Sequence, residues 1–292
     1  MKTAISILIP TFNDDCFEVV SELARQASEI SSLAFEIIVA DDGSTDEAAV
    51  SRNRQIETLA NCRFLRQAEN RGRAAIRNLL AREARHEWLL FIDSGMGIVR
   101  PDFLKTYLST EKTPVYGGYV VVSDSPNARD NLRYRYEAAS APNHALANRL
   151  KNPNRDFHTS NFLVSRQLFL QHPLDERFRH YGYEDVFWGK QLSEAGITIH
   201  HIDNPVAFDR FESNGRFLDK TEEGLRTLHQ FRDELEGYSR LLKTAKIIQS
   251  LHLTPLCNAI FAQKQERWRN ALCASPSLRL FKYYKMLYFL SL

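Results

Sequence analysis

The sequence has few cysteines, no long apolar run and almost no net charge. Its four cysteines are scattered without a Cys-x-x-Cys pair, which argues against a disulfide scaffold and favours a reducing compartment. No run approaches the roughly 18 apolar residues that a membrane-spanning helix needs, and residues 1–15 carry no secretory pattern. The formal charge of +2 over 292 residues is no nucleic-acid signature. We therefore expect a cytoplasmic protein that binds no nucleic acid.

Glycine-rich phosphate-binding motifs are also missing. Neither G-x-G-x-x-G nor G-x-x-x-x-G-K-[ST] follows the first apolar run, residues 5–9. Their absence argues against a dinucleotide-binding dehydrogenase and against a P-loop enzyme. A sugar nucleotidyltransferase would need a glycine-rich, basic loop after this run, and residues 11–15 have neither feature.

Short apolar runs alternate with helix-length segments in the first half of the chain. Hydrophobic residues make up 43% of the sequence, enough for a sizeable core. The alternation predicts a mainly parallel α/β sheet. The predicted strands are residues 5–9, 35–40, 63–65, 88–92, 115–123, 162–165 and 197–202. The predicted helices are residues 16–30, 47–60, 73–85, 129–150 and 185–195, and the chain beyond residue 221 is predicted to be helical throughout.

The small net charge hides an acidic body and a basic C-terminal segment. Residues 238–292 contain nine Lys or Arg against one acid, Glu266, a net charge of +8, whereas residues 1–237 carry −6. We predict a domain at 1–237 and a basic helical extension at 238–292. The extension is expected to meet a membrane surface or a phosphate-bearing acceptor, or to be simply a solvated helix face.

The end of this extension has a more specific pattern. Residues 276–292 interleave Arg279, Lys282 and Lys285 with five aromatic residues, which is typical of a short helix at a membrane interface. This pattern predicts a peripheral protein on the inner face of the membrane. The alternative is that Leu280 and the other apolar residues of this helix pack it on the first domain or on a second subunit.

Polar clusters follow three predicted strands at their carboxyl ends, where open parallel sheets bind ligands. Their chemistry suits a nucleotide, because Phe12 is an aromatic for a base, Asp42 is an acceptor for a base N–H or a ribose hydroxyl, and an acid is present for a metal. The second cluster, residues 41–46, is also typical of a turn with Ser44 or Thr45 as the N-cap of the next helix. The clusters are Pro10, Thr11, Phe12, Asn13, Asp14 and Asp15, then residues 41–46, then residues 93–95.

Two further groups carry charge at helix starts. Arg73 and Arg77 lie one turn apart and either can clamp a diphosphate, unless both are only solubilising. Glu184 and Asp185 are adjacent among aromatic residues, so one of them can face a substrate as a general base while the other organises the loop. Their alternative role is to interact with the helix dipole.

Together these segments resemble the signatures of the inverting family 2 glycosyltransferases, which have the GT-A fold, a Rossmann-like α/β architecture. The resemblance covers about residues 4–230 and is carried by residues 6–13, 36–46, 70–78 and 88–93. Residues 174–185 are similar to the acceptor-side motif shared with galactosyl- and N-acetylgalactosaminyltransferases.

The resemblance implies roles for single residues. Asp185 becomes the catalytic base, and Glu184 holds the acceptor or donor sugar. Asp93 belongs to the ribose-diphosphate and metal region. The uridine is implied to contact Pro10, Thr11, Phe12 and Asp42. The residues implied for the sugar and acceptor are Asn161, Tyr183 and Trp188.

Two departures from the family pattern concern the metal. Gly95 replaces the second acid of the Asp-x-Asp motif, and Phe208 stands where related sequences have a histidine. A divalent cation, Mn²⁺ or Mg²⁺, is therefore expected to be weakly held at Asp93 or dispensable.

The sequence thus predicts an inverting transferase that moves a sugar from a nucleotide-diphosphate donor, UDP-linked, to a hydroxyl of a glycan or lipid-linked acceptor in cell-surface polysaccharide synthesis. The alternatives are a metal-independent transferase, in which arginines replace the ion, and a non-catalytic nucleotide-sugar-binding partner.

Overall fold

The computed structural model describes residues 1–123 and 128–292 and places ten strands in two sheets. The strands are β1 (Ala4–Thr11), β2 (Ala34–Asp41), β3 (Cys62–Arg66), β4 (Trp88–Ile92), β5 (Met96–Ile98), β6 (Val115–Tyr116), β7 (Tyr119–Val121), β8 (Asn161–Ser165), β9 (His200–His201) and β10 (Val206–Phe208). Seven of them form the central sheet in the order β3-β2-β1-β4-β8-β6-β9, and the small sheet has the order β5-β10-β7.

Twelve α-helices accompany the strands in the described ranges. They are α1 (Phe17–Ser28), α2 (Glu47–Arg54), α3 (Arg73–Glu83), α4 (Phe103–Leu108), α5 (Leu132–His144), α6 (Leu146–Arg149), α7 (Arg166–Gln171), α8 (Glu184–Glu194), α9 (Asn214–Gln230), α10 (Arg240–Ser250), α11 (Thr254–Ala274) and α12 (Leu278–Leu290). Within residues 1–123 and 128–292, no helix combines the length and apolarity required to cross a bilayer.

The predicted α/β class is confirmed. Strands β1 to β4 pair in parallel, whereas β8 runs antiparallel to β4 and β6. Both faces of the sheet are covered, because neighbouring residues of one strand join different cores: Ile7 packs in one and Leu8 in the other. A strand buried on both faces is expected to be mostly apolar. Residues 5–9 are apolar except for the buried Ser6, whose hydroxyl donates to Glu36 Oε1 over 2.7 Å.

Two predicted strands are shorter than expected. Residues 115–123 split into β6 and β7 at Gly117 and Gly118, where a Cβ on Gly117 would lie 2.3 Å from the carbonyl oxygen of Asn204. Residues 197–202 form only the short β9. The side chain of Asn154 bonds the carbonyl of Ile197 and the N–H of Ile199, so the residues before β9 are held in a loop.

The chain divides into two compact units. All ten strands lie in the first unit, which contains Met1–Val122, Pro142–Arg179 and Glu184–Arg210. The second unit contains Ser123–Ala141, His180–Tyr183 and Phe211–Leu292. The predicted boundary between residues 237 and 238 does not coincide with this division, because α9 packs against α11 and α12 within the second unit.

Helix α12 is an internal helix of the second unit. Its aromatic residues Phe281, Tyr284 and Tyr288 are buried, and the ammonium of Lys285 lies 4.5 Å from the centre of the Tyr136 ring. Of the aromatic residues that predicted a membrane face at residues 276–292, Tyr283 is exposed and the other four pack inside this unit. Within the unit α12 contacts α9, α10 and α11, and membrane contact at α12 stays a prediction.

A buried histidine makes the stability of the first unit sensitive to acid. Arg149 Nη1 lies 2.9 Å from His201 Nδ1, and His201 Nε2 lies 2.8 Å from the carbonyl oxygen of Pro153. Because Arg149 can only donate, this arrangement requires a neutral imidazole. Burial and the charge of Arg149 lower the pKa of His201 to about 4, against an ordinary value of 6.5.

We expect stability to fall as the pH drops from 6.5 towards 4, because the unfolded chain binds a proton at His201 that the folded chain does not. The loss reaches about 1.4 kcal/mol per pH unit for this group. Urea unfolding between pH 7 and pH 4.5 should give a shallower pH dependence for His201→Gln than for the wild type. His252→Gln, at an exposed histidine, serves as the control, and equal slopes for all three proteins would contradict the assignment.

Candidate functional site

Three strand ends bring polar residues to one edge of the central sheet. Strands β2, β1 and β4 are neighbours and run parallel, with Thr11 opposite Asp41. Phe12 is 46% exposed at the end of β1, whereas Pro10 and Thr11 are buried. Of the four residues implied to contact the uridine, Pro10, Thr11 and Asp42 are buried and Phe12 has the accessible surface.

Asn13 joins the ends of β1 and β2. Its N–H donates to Ser44 Oγ over 2.7 Å, and its Oδ1 accepts from the N–H groups of Thr45 and Asp46 at 2.8 and 2.9 Å. The side chain of Asp46, rather than Ser44 or Thr45, caps helix α2. Asn13 therefore shapes the turn that follows β2.

Asp42 holds the loop that precedes α3. It is almost fully buried, and its two carboxylate oxygens accept from the N–H groups of Arg71 and Gly72, both at 2.9 Å. Burial raises the pKa of Asp42, and these two hydrogen bonds offset part of the rise. Gly72 has φ +95°, and a Cβ there would lie 2.5 Å from the carbonyl oxygen of Arg179, so the loop requires glycine.

Four alternating charges lie beyond this loop. Arg77 is only 2% exposed and donates to Asp93 Oδ1. Arg73 Nη2 lies 3.4 Å from Asp93 Oδ2, and Arg73 Nε lies 2.7 Å from Glu184 Oε1. The two arginines expected to bind phosphate are therefore held by the acid expected to bind a metal and by Glu184.

Asp185 has a partner that the sequence did not reveal. Its Oδ1 accepts from the N–H of Val186 at 2.8 Å, and its Oδ2 lies 3.1 Å from His158 Nδ1. Burial raises the pKa of Asp185, but the hydrogen bond and charge of His158, together with the N–H of Val186 and the charge of Arg73, hold the pKa below its ordinary value. Asp185 is therefore ionised at neutral pH. It is 27 residues from His158, and no local spacing connects the two.

Aromatic and imidazole rings surround His158. Its ring centre lies 5.4 Å from that of His144, 5.9 Å from that of Tyr119 and 6.1 Å from that of Tyr116. Burial and the charges of His158 and Arg149 lower the pKa of His144 to about 4.

We call Asp42, Arg73, Arg77, Asp93, His158, Glu184 and Asp185 the strand-end site.

Two residues expected at the sugar pocket belong to the core instead. Trp188 is fully buried among aromatic rings and donates from Nε1 to the carbonyl oxygen of His172, so it has no exposed face for a sugar. Asn161 is also fully buried, and its amide donates to the carbonyl oxygens of Gly118 and Asn204. Tyr183, half-buried with φ +71°, lies in the second unit.

The residues present do not fit a tightly held metal ion. Asp93 is engaged by two arginines, and in the described ranges no three His, Cys, Asp or Glu side chains form a group that could hold a metal. Phe208, at the position where related sequences have a histidine, pairs with Met96 across β10 and β5. Its side chain has no atom that can bind a metal. A Cβ on Gly95 would lie 3.2 Å from Asp14 Oδ2.

The sequence matches the model of one protein family, "Glycosyl transferase family 2", over residues 6–172. The chain is 25% identical over 241 residues to the chondroitin synthase of Escherichia coli, an alignment that covers 70% of this chain and 34% of that protein. The chain thus spans about a third of the length of this relative.

Two solved structures share the fold. Residues 1–349 of S. aureus TarS, in complex with UDP, align with 100% of this chain and 90% of that chain at a TM-score of 0.55 and 17% identity. A mannosyltransferase from Pyrobaculum calidifontis, in complex with GDP-Man and Mn²⁺, aligns with 99% of this chain and 85% of that chain at a TM-score of 0.52 and 15% identity. The sheet and these likenesses confirm the predicted GT-A fold.

The Arg77–Asp93 ion pair predicts an asymmetry between two substitutions. Asp93→Asn leaves the buried charge of Arg77 without its neutralising carboxylate, and we expect a loss of about 3 kcal/mol in the free energy of unfolding. Arg77→Met should cost less, because the side chain of Asp93 is 21% exposed and water can solvate it. Urea unfolding at neutral pH measures both, with Arg82→Met on the exposed face of α3 as the control. A larger loss for Arg77→Met would refute this account.

Proposed function

The chain belongs to glycosyl transferase family 2, and from this membership we propose that it transfers a sugar from a nucleotide-diphosphate sugar to an acceptor hydroxyl with inversion at the anomeric carbon. The observation that carries the proposal is the carboxylate of Asp185, whose Oδ2 lies 3.1 Å from His158 Nδ1. It lies at the start of α8 next to Glu184, whose ion pair leads through Arg73 to Asp93. A base and the charges for a leaving diphosphate thus lie in one network.

The donor we propose is a UDP-sugar. Phe12 supplies an exposed aromatic face for the base. Asp42 accepts the N–H groups of Arg71 and Gly72 and thereby holds the loop before α3 at the same edge of the sheet. One protein of this fold was solved with UDP and another with GDP-Man. The identity of the donor's nucleobase must therefore be determined in a binding assay.

In the proposed reaction Asp185 accepts the proton of the acceptor hydroxyl. The acceptor oxygen forms a bond to the anomeric carbon on the face opposite the diphosphate. The bond from that carbon to the diphosphate oxygen breaks, and its electron pair leaves with the nucleotide. The hydrogen bond from His158 orients the Asp185 carboxylate and keeps it ionised before transfer.

Charge that develops on the diphosphate must be stabilised by cations. The side chain of Arg73 is 37% exposed, so Arg73 is the group we propose to contact the phosphates. Arg77 is buried against Asp93, so we propose that its positive charge acts on the phosphates without direct contact. A divalent cation, Mn²⁺ or Mg²⁺, is proposed to bind weakly or to be dispensable, because one carboxylate that is already paired with two arginines makes a poor metal site.

The proposed acceptor is a glycan or a lipid-linked glycan in the synthesis of a cell-surface polysaccharide. The similarity to a chondroitin synthase supports this class. A non-catalytic nucleotide-sugar-binding partner is the second candidate, because Gly95 and the paired Asp93 depart from the metal motif. Its signature would be donor binding without nucleotide release in any acceptor screen.

Asp185→Asn should abolish transfer and leave donor binding intact. A general base contributes about 10²–10⁴-fold to the rate, and in the proposed reaction Asp185 touches the acceptor rather than the nucleotide. Nucleotide release measures the rate, and titration calorimetry measures UDP affinity. If the variant keeps more than about a tenth of the wild-type rate, Asp185 is not the base.

Asp42→Ala provides the contrast to that variant. It removes the acceptor of two backbone N–H groups, so we expect weaker UDP binding and a loss of about 1–3 kcal/mol in the free energy of unfolding. Unchanged UDP affinity for Asp42→Ala would place the nucleotide elsewhere.

Gly95→Asp should increase the response of the enzyme to metal. The new carboxylate would stand beside Asp14 and two residues after Asp93, and such a cluster of carboxylates is the donor set that Mn²⁺ and Mg²⁺ prefer. We expect chelator to reduce wild-type activity little, and Mn²⁺ affinity to rise in Gly95→Asp but not in the neutral control Gly95→Asn. Wild-type activity that depends on micromolar metal retained through dialysis would contradict this expectation.

A further inference from the structure

Exposed apolar side chains concentrate in one part of the second unit. Fourteen large apolar side chains are exposed in the described part of the chain, and five of them lie between residues 247 and 260. Leu251 and Leu256 are each 60% exposed. The five residues are Ile247, Leu251, Leu253, Leu256 and Ile260, and they span the end of α10, the connecting turn and the start of α11. We call residues 240–264 the apolar hairpin.

The two helices of the hairpin repeat the same arrangement from the turn outwards. Lys243 and Ile247 of α10 and Leu251, the residue directly after this helix, follow one another at intervals of four residues, and on α11 Leu256, Ile260 and Lys264 do the same. Residues four apart share one face of a helix. Each helix therefore presents an apolar stripe at the turn and a lysine one turn further away.

The opposite sides of these helices are anchored in the second unit. Leu242 and Ala245 of α10 are buried, as is Phe261 of α11. The Phe261 ring centre lies 5.6 Å from that of Tyr284 and 6.1 Å from that of Tyr288. The hairpin is thus a packed element with one apolar side left exposed, and the exposed leucines do not contribute to that packing.

Charge determines what kind of surface can cover the apolar stripe. Residues 238–292 carry a net charge of +8 with Glu266 as their one acid. Lys243 and Lys264 are exposed on the hairpin, whereas Lys246 is paired with Glu236. A second copy of this chain would bring two positively charged surfaces together. An anionic lipid leaflet satisfies both features, because its negative surface attracts basic residues and its acyl boundary accepts leucine and isoleucine.

We propose that the apolar hairpin docks on an anionic membrane surface, with Leu251, Leu253 and Leu256 inserted at the headgroup boundary and the lysines at the headgroups. The inference rests on the proposed function in one respect, since docking would bring the enzyme to a lipid-linked acceptor. It assigns membrane contact to α10 and α11 rather than to α12.

Co-sedimentation with vesicles tests the proposal on the full chain. We expect the wild type to pellet with phosphatidylcholine vesicles that contain phosphatidylglycerol, to pellet less as salt increases, and to stay in solution with phosphatidylcholine alone. Leu251→Gln/Leu256→Gln should reduce the partition coefficient at least about tenfold, since burial of each leucine contributes more than 1 kcal/mol. Leu150→Gln, at a 55% exposed leucine of the first unit, should behave as the wild type.

Three results would overturn the docking proposal. They are a wild type that stays in solution with anionic vesicles, a double variant that pellets as well as the wild type, and a wild-type dimer in light scattering that the double variant converts to a monomer. UDP titration and transfer to a soluble acceptor, run in parallel without vesicles, separate the two proposals. Intact UDP binding and transfer without vesicle binding would refute membrane docking and leave the proposed function standing.

Discussion

The burial of the Arg77 guanidinium is the constraint on which the strand-end site depends. A charged group with 2% exposure needs a carboxylate beside it, and Asp93 at the end of β4 supplies one. This pairing fixes α3 against the sheet edge and places Arg73, one turn earlier, between Asp93 and Glu184. The same pairing occupies the carboxylate that a metal would use, so the organisation of the site and its poor fit to a metal have one cause.

The surroundings of two other carboxylates of the site shift their pKa values in opposite directions. Asp42 accepts two backbone N–H groups, yet burial dominates and raises its pKa. Asp185 is half-buried, and desolvation is outweighed by the hydrogen bond and charge of His158, the N–H of Val186 and the charge of Arg73, which keep its pKa low. The first carboxylate is therefore suited to holding a loop, and the second to receiving a proton. Hydrogen-bond partners, more than burial alone, separate the two roles.

The second unit buries most of the aromatic residues of its last helix and leaves part of its aliphatic surface exposed. Helix α12 buries Phe281, Tyr284 and Tyr288 against its own unit, whereas the hairpin of α10 and α11 leaves leucines exposed beside lysines. A basic and aromatic sequence is therefore no guide to which helix faces outwards. Side-chain burial makes that distinction, and it moves the proposed membrane contact from the last helix to the preceding hairpin.

Local patterns predicted much of the fold, because parallel strands buried on both faces are mostly apolar and polar clusters at their ends are left over for ligands. Asp42 and Asp93 were predicted from such clusters, whereas Asp185 was predicted from two adjacent acids at a helix start and from the family resemblance. Local patterns did not predict that Trp188 lies in the core or that Arg77 pairs with Asp93. They also did not connect His158 with Asp185, because 27 residues separate the two in the chain. Contacts of this kind depend on which elements pack together, and only the folded chain brings those side chains within hydrogen-bonding distance.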